Sequence, residues 1–115
     1  LQSLTFGDGF NQSMDGVTLP KNLQSLTFGR MFDQSIDGVA LPENLQSLTF
    51  GFEFNQSMDG VMLPENLQSF EGSTFGLMFN QSMDGVTLPK NLQSLTFGTS
   101  FNQSLDGCCL RTFKA

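Results

Sequence analysis

One short sequence recurs along the chain and constrains its fold more than any other feature. The heptapeptide Leu-Gln-Ser-Leu-Thr-Phe-Gly begins at Leu1, Leu23, Leu45 and Leu92, and an interrupted copy begins at Leu67. Successive copies start 22 residues apart, except for the last pair, which is 25 residues apart. A unit of this length cannot bury its own apolar side chains, so neighbouring units must stack as coils and bury each other's.

The repeat divides the chain into five coils of a single solenoid domain. Their boundaries are 1–22, 23–44, 45–66, 67–91 and 92–115; the fourth coil has a three-residue insertion and the fifth is a degenerate end. We expect the insertion to form a bulge or a small loop around Glu71–Ser73. Gly7, Gly16 and Pro20, with their equivalents, leave no window long enough for a helix.

Alternating polar and apolar residues predict the strands. Residues 3–6 alternate in this way in most coils, which is the period of a strand with one buried face. Residues 17–19 show the same alternation and predict a second set of short strands or extended segments. Gly7 and Gly16 are expected to use the conformational freedom of glycine to end the strand and to form a turn. The predicted fold is an all-β, right-handed parallel β-solenoid of leucine-rich-repeat type, with little or no helix.

Seven apolar positions of each coil are predicted to face the interior. In the first coil they are Leu1, Leu4, Phe6, Phe10, Met14, Val17 and Leu19. Two of these positions form phenylalanine columns along the stack: Phe6, Phe28, Phe50, Phe75 and Phe97, and Phe10, Phe32, Phe54, Phe79 and Phe101. An aromatic row can also be a ligand platform, but these columns recur at the strand period, which favours core packing.

Two polar columns follow the second phenylalanine of each coil. Asn11 and its equivalents, with Asp33 in the second coil, precede an unbroken column of glutamine that starts at Gln12. Stacked asparagine side chains can hydrogen-bond to one another and to the backbone at the bend, so we expect an asparagine ladder. The aspartate column at Asp15, Asp37, Asp59, Asp84 and Asp106 has two interpretations. Each aspartate bonds its own turn backbone, or the column binds calcium; the single carboxylate in each coil favours the turn.

Composition excludes several functional classes. Five basic and eleven acidic residues give a net charge of −6, which argues against nucleic acid or an anionic membrane as partner. The chain has no histidine, which is the usual general base and the commonest metal ligand. No coil offers a nucleophile beside a base. We therefore expect a protein that is not an enzyme and that has no cofactor and no metal site.

The two cysteines lie together in the last coil. Side chains of adjacent strand residues point in opposite directions, so Cys108 and Cys109 are not expected to pair. We expect Cys108 to fill the valine column and Cys109 to be a free outward thiol. The absence of a disulfide framework favours the cytoplasm.

Outward serine and threonine residues form a candidate hydroxyl face. They are Ser3, Thr5, Ser25, Thr27, Ser47, Thr49, Ser94 and Thr96. Rows of threonine on a solenoid face can match an ice lattice, although threonine is also a favoured strand residue. The fourth coil interrupts this array.

The two positions after each first strand vary more in chemistry than the others. We call the following residues the variable edge: Arg30, Met31, Phe52, Glu53, Leu77 and Met78. Solenoid recognition surfaces commonly combine a fixed frame with variable loop residues, so this edge is predicted to contact a partner. The alternative is an unconstrained loop that faces solvent, but adjacent apolar side chains favour contact.

The unit as a whole resembles the FNIP repeat, a 22-residue relative of the leucine-rich repeat. The resemblance is carried by Leu-x-x-Leu-x-Phe-Gly-x-x-Phe-Asn-Gln, with a Leu-Pro near the next start, over 1–12, 23–34, 45–56, 67–81 and 92–103. Ser13 stands where the family typically has proline, and Val-x-Leu-Pro replaces the more usual Ile-Pro. The resemblance implies a parallel β-solenoid that is often attached to domains such as F-boxes or kinases. It implies interaction rather than catalysis.

These observations predict a non-catalytic repeat scaffold for protein–protein interaction, as a fragment of a longer FNIP or leucine-rich array. The alternatives are an ice-binding solenoid that uses the hydroxyl face and a structural solenoid stabilised by calcium. Neither end of the chain has a polar cap, so we also expect end-to-end self-association through uncapped coils.

Overall fold

The computed structural model describes residues 2–71, 78–83, 86–95 and 100–103. Its strands are β1 (Ser3–Thr5), β2 (Ser25–Thr27), β3 (Ser47–Thr49), β4 (Ser69–Glu71) and β5 (Ser94–Leu95). They form one sheet in the order β1-β2-β3-β4-β5, and every neighbouring pair is parallel. No helix occurs in these residue ranges. The prediction of an all-β parallel solenoid is confirmed, whereas its right-handedness stays a prediction.

Each coil is bonded to the next in unshifted register. Ser3 pairs with Ser25 and Ser25 with Ser47, so equivalent residues lie directly above one another. At the start of the strands, the backbone N–H of Gln24 donates to the carbonyl oxygen of Gln2 at 2.8 Å. This repetition follows from the 22-residue period, because a shift of one residue would turn the buried leucine outward.

The interior is formed by the apolar positions that the sequence predicts. The equivalents of these positions in the second and third coils are buried, except for Leu41 and Leu63, which are partly buried. Val17 is 40% exposed, whereas Val39 is 6% exposed, because the first coil has a neighbour on one side only. Leu1 lies outside the described residues.

The two phenylalanine columns pack against each other as stacked rings. Within the third coil, the ring centroids of Phe50 and Phe54 are 3.9 Å apart. Between coils, the centroids of Phe28 and Phe50 are 5.7 Å apart, and those of Phe32 and Phe54 are 6.2 Å apart. The predicted core role is confirmed for these rings, while Phe75 and Phe97 are outside the described residues.

Of the two alternatives predicted for residues 17–19 and their equivalents, strands are not formed in the described coils, and extended segments stay a prediction. The backbone N–H of Val17 donates to the carbonyl oxygen of Met14 at 3.1 Å, and Val39, Val61 and Val86 make the same local bond. A donor used in a turn is lost to a strand ladder, so no strand includes these residues in the described coils. The segment follows the coil without joining a sheet.

The glycines at the ends of the strands have a different role from the one expected. Gly16 and Gly60 have φ of 77° and 81°, as predicted for the turn glycine at the Asp-Gly position, whereas Gly38 at this position of the second coil does not have positive φ. Gly7, Gly29 and Gly51 do not have positive φ. A Cβ atom added at Gly29 would overlap the carbonyl oxygen of Gly7, and one added at Gly51 would overlap that of Gly29. Close approach of successive backbones therefore requires glycine here.

The insertion of the fourth coil follows the strand and leaves the stack intact. Glu71 still pairs with Thr49, and Phe79 stacks on Phe54 with a centroid distance of 6.0 Å. The additional residues are therefore accommodated after Glu71. Gly72 and Ser73, where we expected the bulge, lie outside the described residues.

Candidate interaction surfaces

The variable edge is built on a backbone ladder that follows the sheet. The N–H of Met31 donates to Asp8 O at 3.0 Å, and that of Glu53 donates to Arg30 O at 3.0 Å. After the insertion, the N–H of Met78 donates to Phe52 O at 3.3 Å. These bonds align two adjacent columns along the stack, one with Arg30 and Phe52 and the other with Met31, Glu53 and Met78. Leu77 lies outside the described residues.

Large apolar side chains of the variable edge face solvent. Met31 and Met78 are each 47% exposed, and Phe52 is 38% exposed. The guanidinium carbon of Arg30 lies 5.1 Å from the centroid of the Phe52 ring, which is a cation–π distance. The variable edge thus combines methionine, an aromatic ring and arginine. Glu53, which also belongs to the edge, is half-buried.

The hydroxyl face is in register over the first three strands. Ser3, Ser25 and Ser47 form one row, and the parallel threonine row contains Thr5, Thr27 and Thr49. These side chains are exposed in β1 and half-buried in β2 and β3. In β4, the residue that pairs with Thr49 is Glu71, so the threonine row ends at β3. Thr96 lies outside the described residues, and Ser94 is placed by its pairing with Ser69.

The asparagine ladder exists, but its side chains accept bonds from the backbone and from the glutamine of the next coil, not from each other. Asn11 Oδ1 accepts the backbone N–H of Asp33 at 2.9 Å and the side-chain Nε2–H of Gln34 at 3.0 Å. Asp33 Oδ1 accepts the same pair of bonds from Asn55 and Gln56. Each ladder residue therefore acts as an acceptor for the next coil. A carboxylate supplies that acceptor as well as an amide does, which explains the presence of aspartate at position 33.

The aspartate column belongs to turns that are held by serine. The backbone N–H of Asp15 donates to Ser13 Oγ at 3.1 Å, and Asp37 and Ser35 make the same contact at 3.2 Å. The expected bond from the aspartate side chain to its own backbone is therefore replaced by a serine contact. Among the described residues, no group of three or more acidic or cysteine side chains could hold a metal ion. Asp84, Asp106, Cys108 and Cys109 lie outside them.

The structure also forms a polar groove that the sequence interpretation missed. We call it the amide groove; it has a volume of about 340 Å³ and is lined by Gln2, Asn22, Gln24, Asn44, Gln46 and Asn66. It lies where the strands begin, whereas the variable edge lies after they end. One signal was available in the sequence: these exposed positions are glutamine in all five coils and asparagine in the first four.

No helix in the described residues is long and apolar enough to cross a membrane.

Comparison with known proteins identifies the repeat. The model of the FNIP Repeat matches residues 1–31, 10–53, 32–71 and 79–110. The crystal structure of CroV588, described as a novel circular leucine-rich-repeat protein, is similar with a TM-score of 0.63 and 35% sequence identity. The similarity covers 89% of this chain and 18% of that one, so the chain spans about a fifth of its length. No curated protein matches the chain. The fold is therefore a repeat scaffold related to leucine-rich repeats, and the chain belongs to the FNIP repeat family.

Proposed function

We propose that this chain is a non-catalytic scaffold that binds a protein partner through the variable edge, as part of a longer repeat array. One observation carries the proposal: Met31, Phe52 and Met78 expose large apolar surfaces at the two adjacent positions of the variable edge, where backbone hydrogen bonds join successive coils. The absence of histidine and the coil-by-coil repetition of the same polar residues support a scaffold rather than an enzyme.

The chemistry of the edge suits a protein interface. Aromatic residues, methionine and arginine are enriched at protein interfaces, and a few such side chains supply most of the binding energy. Methionine also adapts its shape to different partners. The Arg30 guanidinium over the Phe52 ring presents a flat surface that is both apolar and positively charged. These features favour a partner with an apolar patch bordered by acidic groups.

A comparative pull-down tests the edge. We expect the wild-type chain to retain a partner that the triple variant Phe52→Ser, Leu77→Ser, Met78→Ser loses. Met62→Ser is the matched control, because Met62 is 82% exposed but lies outside the edge. Equal retention by the triple variant and the wild type would contradict the proposal, provided that circular dichroism shows both to be folded.

The in-register hydroxyl rows favour ice binding as a second candidate function. The rows span three strands at the spacing of a β-sheet, about 4.8 Å. Thermal hysteresis is the direct assay, and Thr49→Tyr should abolish it by placing a bulky ring in the middle of the threonine row. A wild-type chain without thermal hysteresis would eliminate this candidate.

We also propose that this 115-residue segment, taken by itself, self-associates through the face of its first coil. Leu4, Phe6 and Phe10 are only partly buried, whereas their equivalents in the second and third coils are almost fully buried. Light scattering should show a mass that increases with concentration. A constant monomer mass would contradict this proposal.

A further inference from the structure

The amide groove has side chains whose identity the fold does not explain. Its glutamine backbones are fixed, because Gln24 O accepts the N–H groups of Gln46 and Ser47 at 2.8 and 3.1 Å. Within the described part of the chain, however, the side-chain amides of Gln2, Gln24 and Gln46 have no hydrogen-bond partner. They nevertheless stay glutamine in every coil, while the exposed corner position next to the asparagines is lysine in two coils and glutamate in two.

The asparagine side of the groove presents acceptors. Asn66 Nδ2–H donates to the carbonyl oxygen of Glu43 at 3.1 Å, which fixes the amide and leaves Asn66 Oδ1 available. The opposite side has the unpaired glutamine amides, each with donors and an acceptor. No lining residue is charged or apolar. Such a surface is complementary to neutral groups that both donate and accept hydrogen bonds.

We propose that the amide groove binds an uncharged peptide segment in the polyproline II conformation, through hydrogen bonds to its main chain. This site is separate from the variable edge. A primary amide and a peptide group each have a carbonyl oxygen and an N–H, so they bond in complementary pairs. A linear glycan offers similar polar groups, so its binding is one of the outcomes of the test below.

The repeat distances agree with this conformation. The groove extends over three coils, which are two steps of about 4.8 Å, or about 9.6 Å in total. A polyproline II helix has three residues per turn with a rise of about 3.1 Å each, or about 9.3 Å per turn. Equivalent peptide groups on successive turns of the peptide therefore face glutamines that are two coils apart. The main chain of this helix has no internal hydrogen bonds, so its polar groups are free to bind.

A titration followed by nuclear magnetic resonance tests the proposal on the full 115-residue chain. The probe is a blocked nonapeptide of three Pro-Pro-Ala units, which presents one N–H per turn. We expect saturable shifts of the side-chain amide signals of Gln2 and Gln46, the groove glutamines that are two coils apart. The double variant Gln2→Ala, Gln46→Ala should weaken binding at least about tenfold, because several hydrogen bonds are lost.

Controls separate this site from the others. Gln12→Ala is the matched control, because Gln12 is exposed, outside the groove and unpaired in the structure; it should bind like the wild type. The variable-edge triple variant should also bind normally, which distinguishes this proposal from the proposed function. If the alanine pair does not fold, the glutamate pair at the same positions, which removes the donors, should show the same loss.

Several results would overturn the proposal. The first is the absence of saturable shifts up to about 1 mM peptide, which is already a weak affinity. Shifts confined to the variable edge, or unchanged binding by the folded double variant, would do the same. The proposal would also be overturned if the chain bound cellohexaose, a linear glycan, but not the peptide.

Discussion

Replacement of Asp33 tests whether the ladder holds the coils together. Asp33 Oδ1 accepts the backbone N–H of Asn55 at 2.9 Å and Nε2–H of Gln56 at 3.0 Å. Asp33→Asn keeps an oxygen in the same place. Asp33→Leu keeps nearly the same shape and removes the carboxylate oxygen that accepts both hydrogen bonds. Comparison of these two variants isolates the hydrogen bonds from packing and from chain length.

The expected difference follows from the contacts. The bond from Gln56 to Asp33 is worth about 0.5–1.5 kcal/mol net, and a carboxylate acceptor raises this figure. The N–H of Asn55 is partly buried and would lose its acceptor, which costs about 1–3 kcal/mol. Asp33→Leu should therefore lower the free energy of unfolding by about 2–4 kcal/mol, and Asp33→Asn should change it little.

Urea unfolding followed by circular dichroism measures this difference. A slope of about 2 kcal/mol per M is typical of a small protein, so the Asp33→Leu midpoint should fall by about 1–2 M. The slope itself should stay constant if the native state is unchanged. If the leucine and asparagine variants unfold at the same urea concentration, the ladder does not stabilise the stack and our account of Asp33 is refuted.

Further perturbations test core packing, backbone approach and metal binding. Phe50→Ala should cost about 3–5 kcal/mol in urea unfolding because the ring is fully buried, whereas Phe52→Ala should cost less than about 1 kcal/mol. A small loss at Phe50 would disprove the column. Gly51→Ala should destabilise by about 1–3 kcal/mol through overlap with the preceding backbone, while Gly9→Ala, which meets open space, should be neutral. Calcium or a chelator should leave the melting temperature unchanged; a rise with calcium would restore the calcium-stabilised alternative.

The sequence predicts most features that depend on the repeat period alone. Phe32 and Phe54 recur 22 residues apart, so a stack of coils must bring them together, and the same reasoning places Asn11 beside the second coil. Alternation at residues 17–19 predicts which side chains are buried, but it does not predict whether the backbone joins a sheet. The local bond from Val17 to Met14 is a property of the backbone that alternation does not reveal.

Two other features need three-dimensional proximity between coils. The sequence shows Gly29 only as a glycine that ends a strand. The need for glycine there comes from its contact with the carbonyl group of Gly7 in the preceding coil. The amide groove combines residues at the end of one coil with residues at the start of the next, so no single unit contains it. In the sequence its members differ from ordinary surface residues only by their constancy from coil to coil.

The position of the insertion has a practical consequence for protein engineering. Three additional residues follow Glu71, yet the N–H of Asn80 still donates to Asn55 Oδ1 at 2.9 Å, as in the coils without an insertion. The corner after the strand therefore accepts foreign sequence without a change in the spacing of the stack. The equivalent corners, such as the one at Phe52, are natural grafting sites for epitopes or sensor peptides, and several grafts on one stack would be displayed at a fixed pitch.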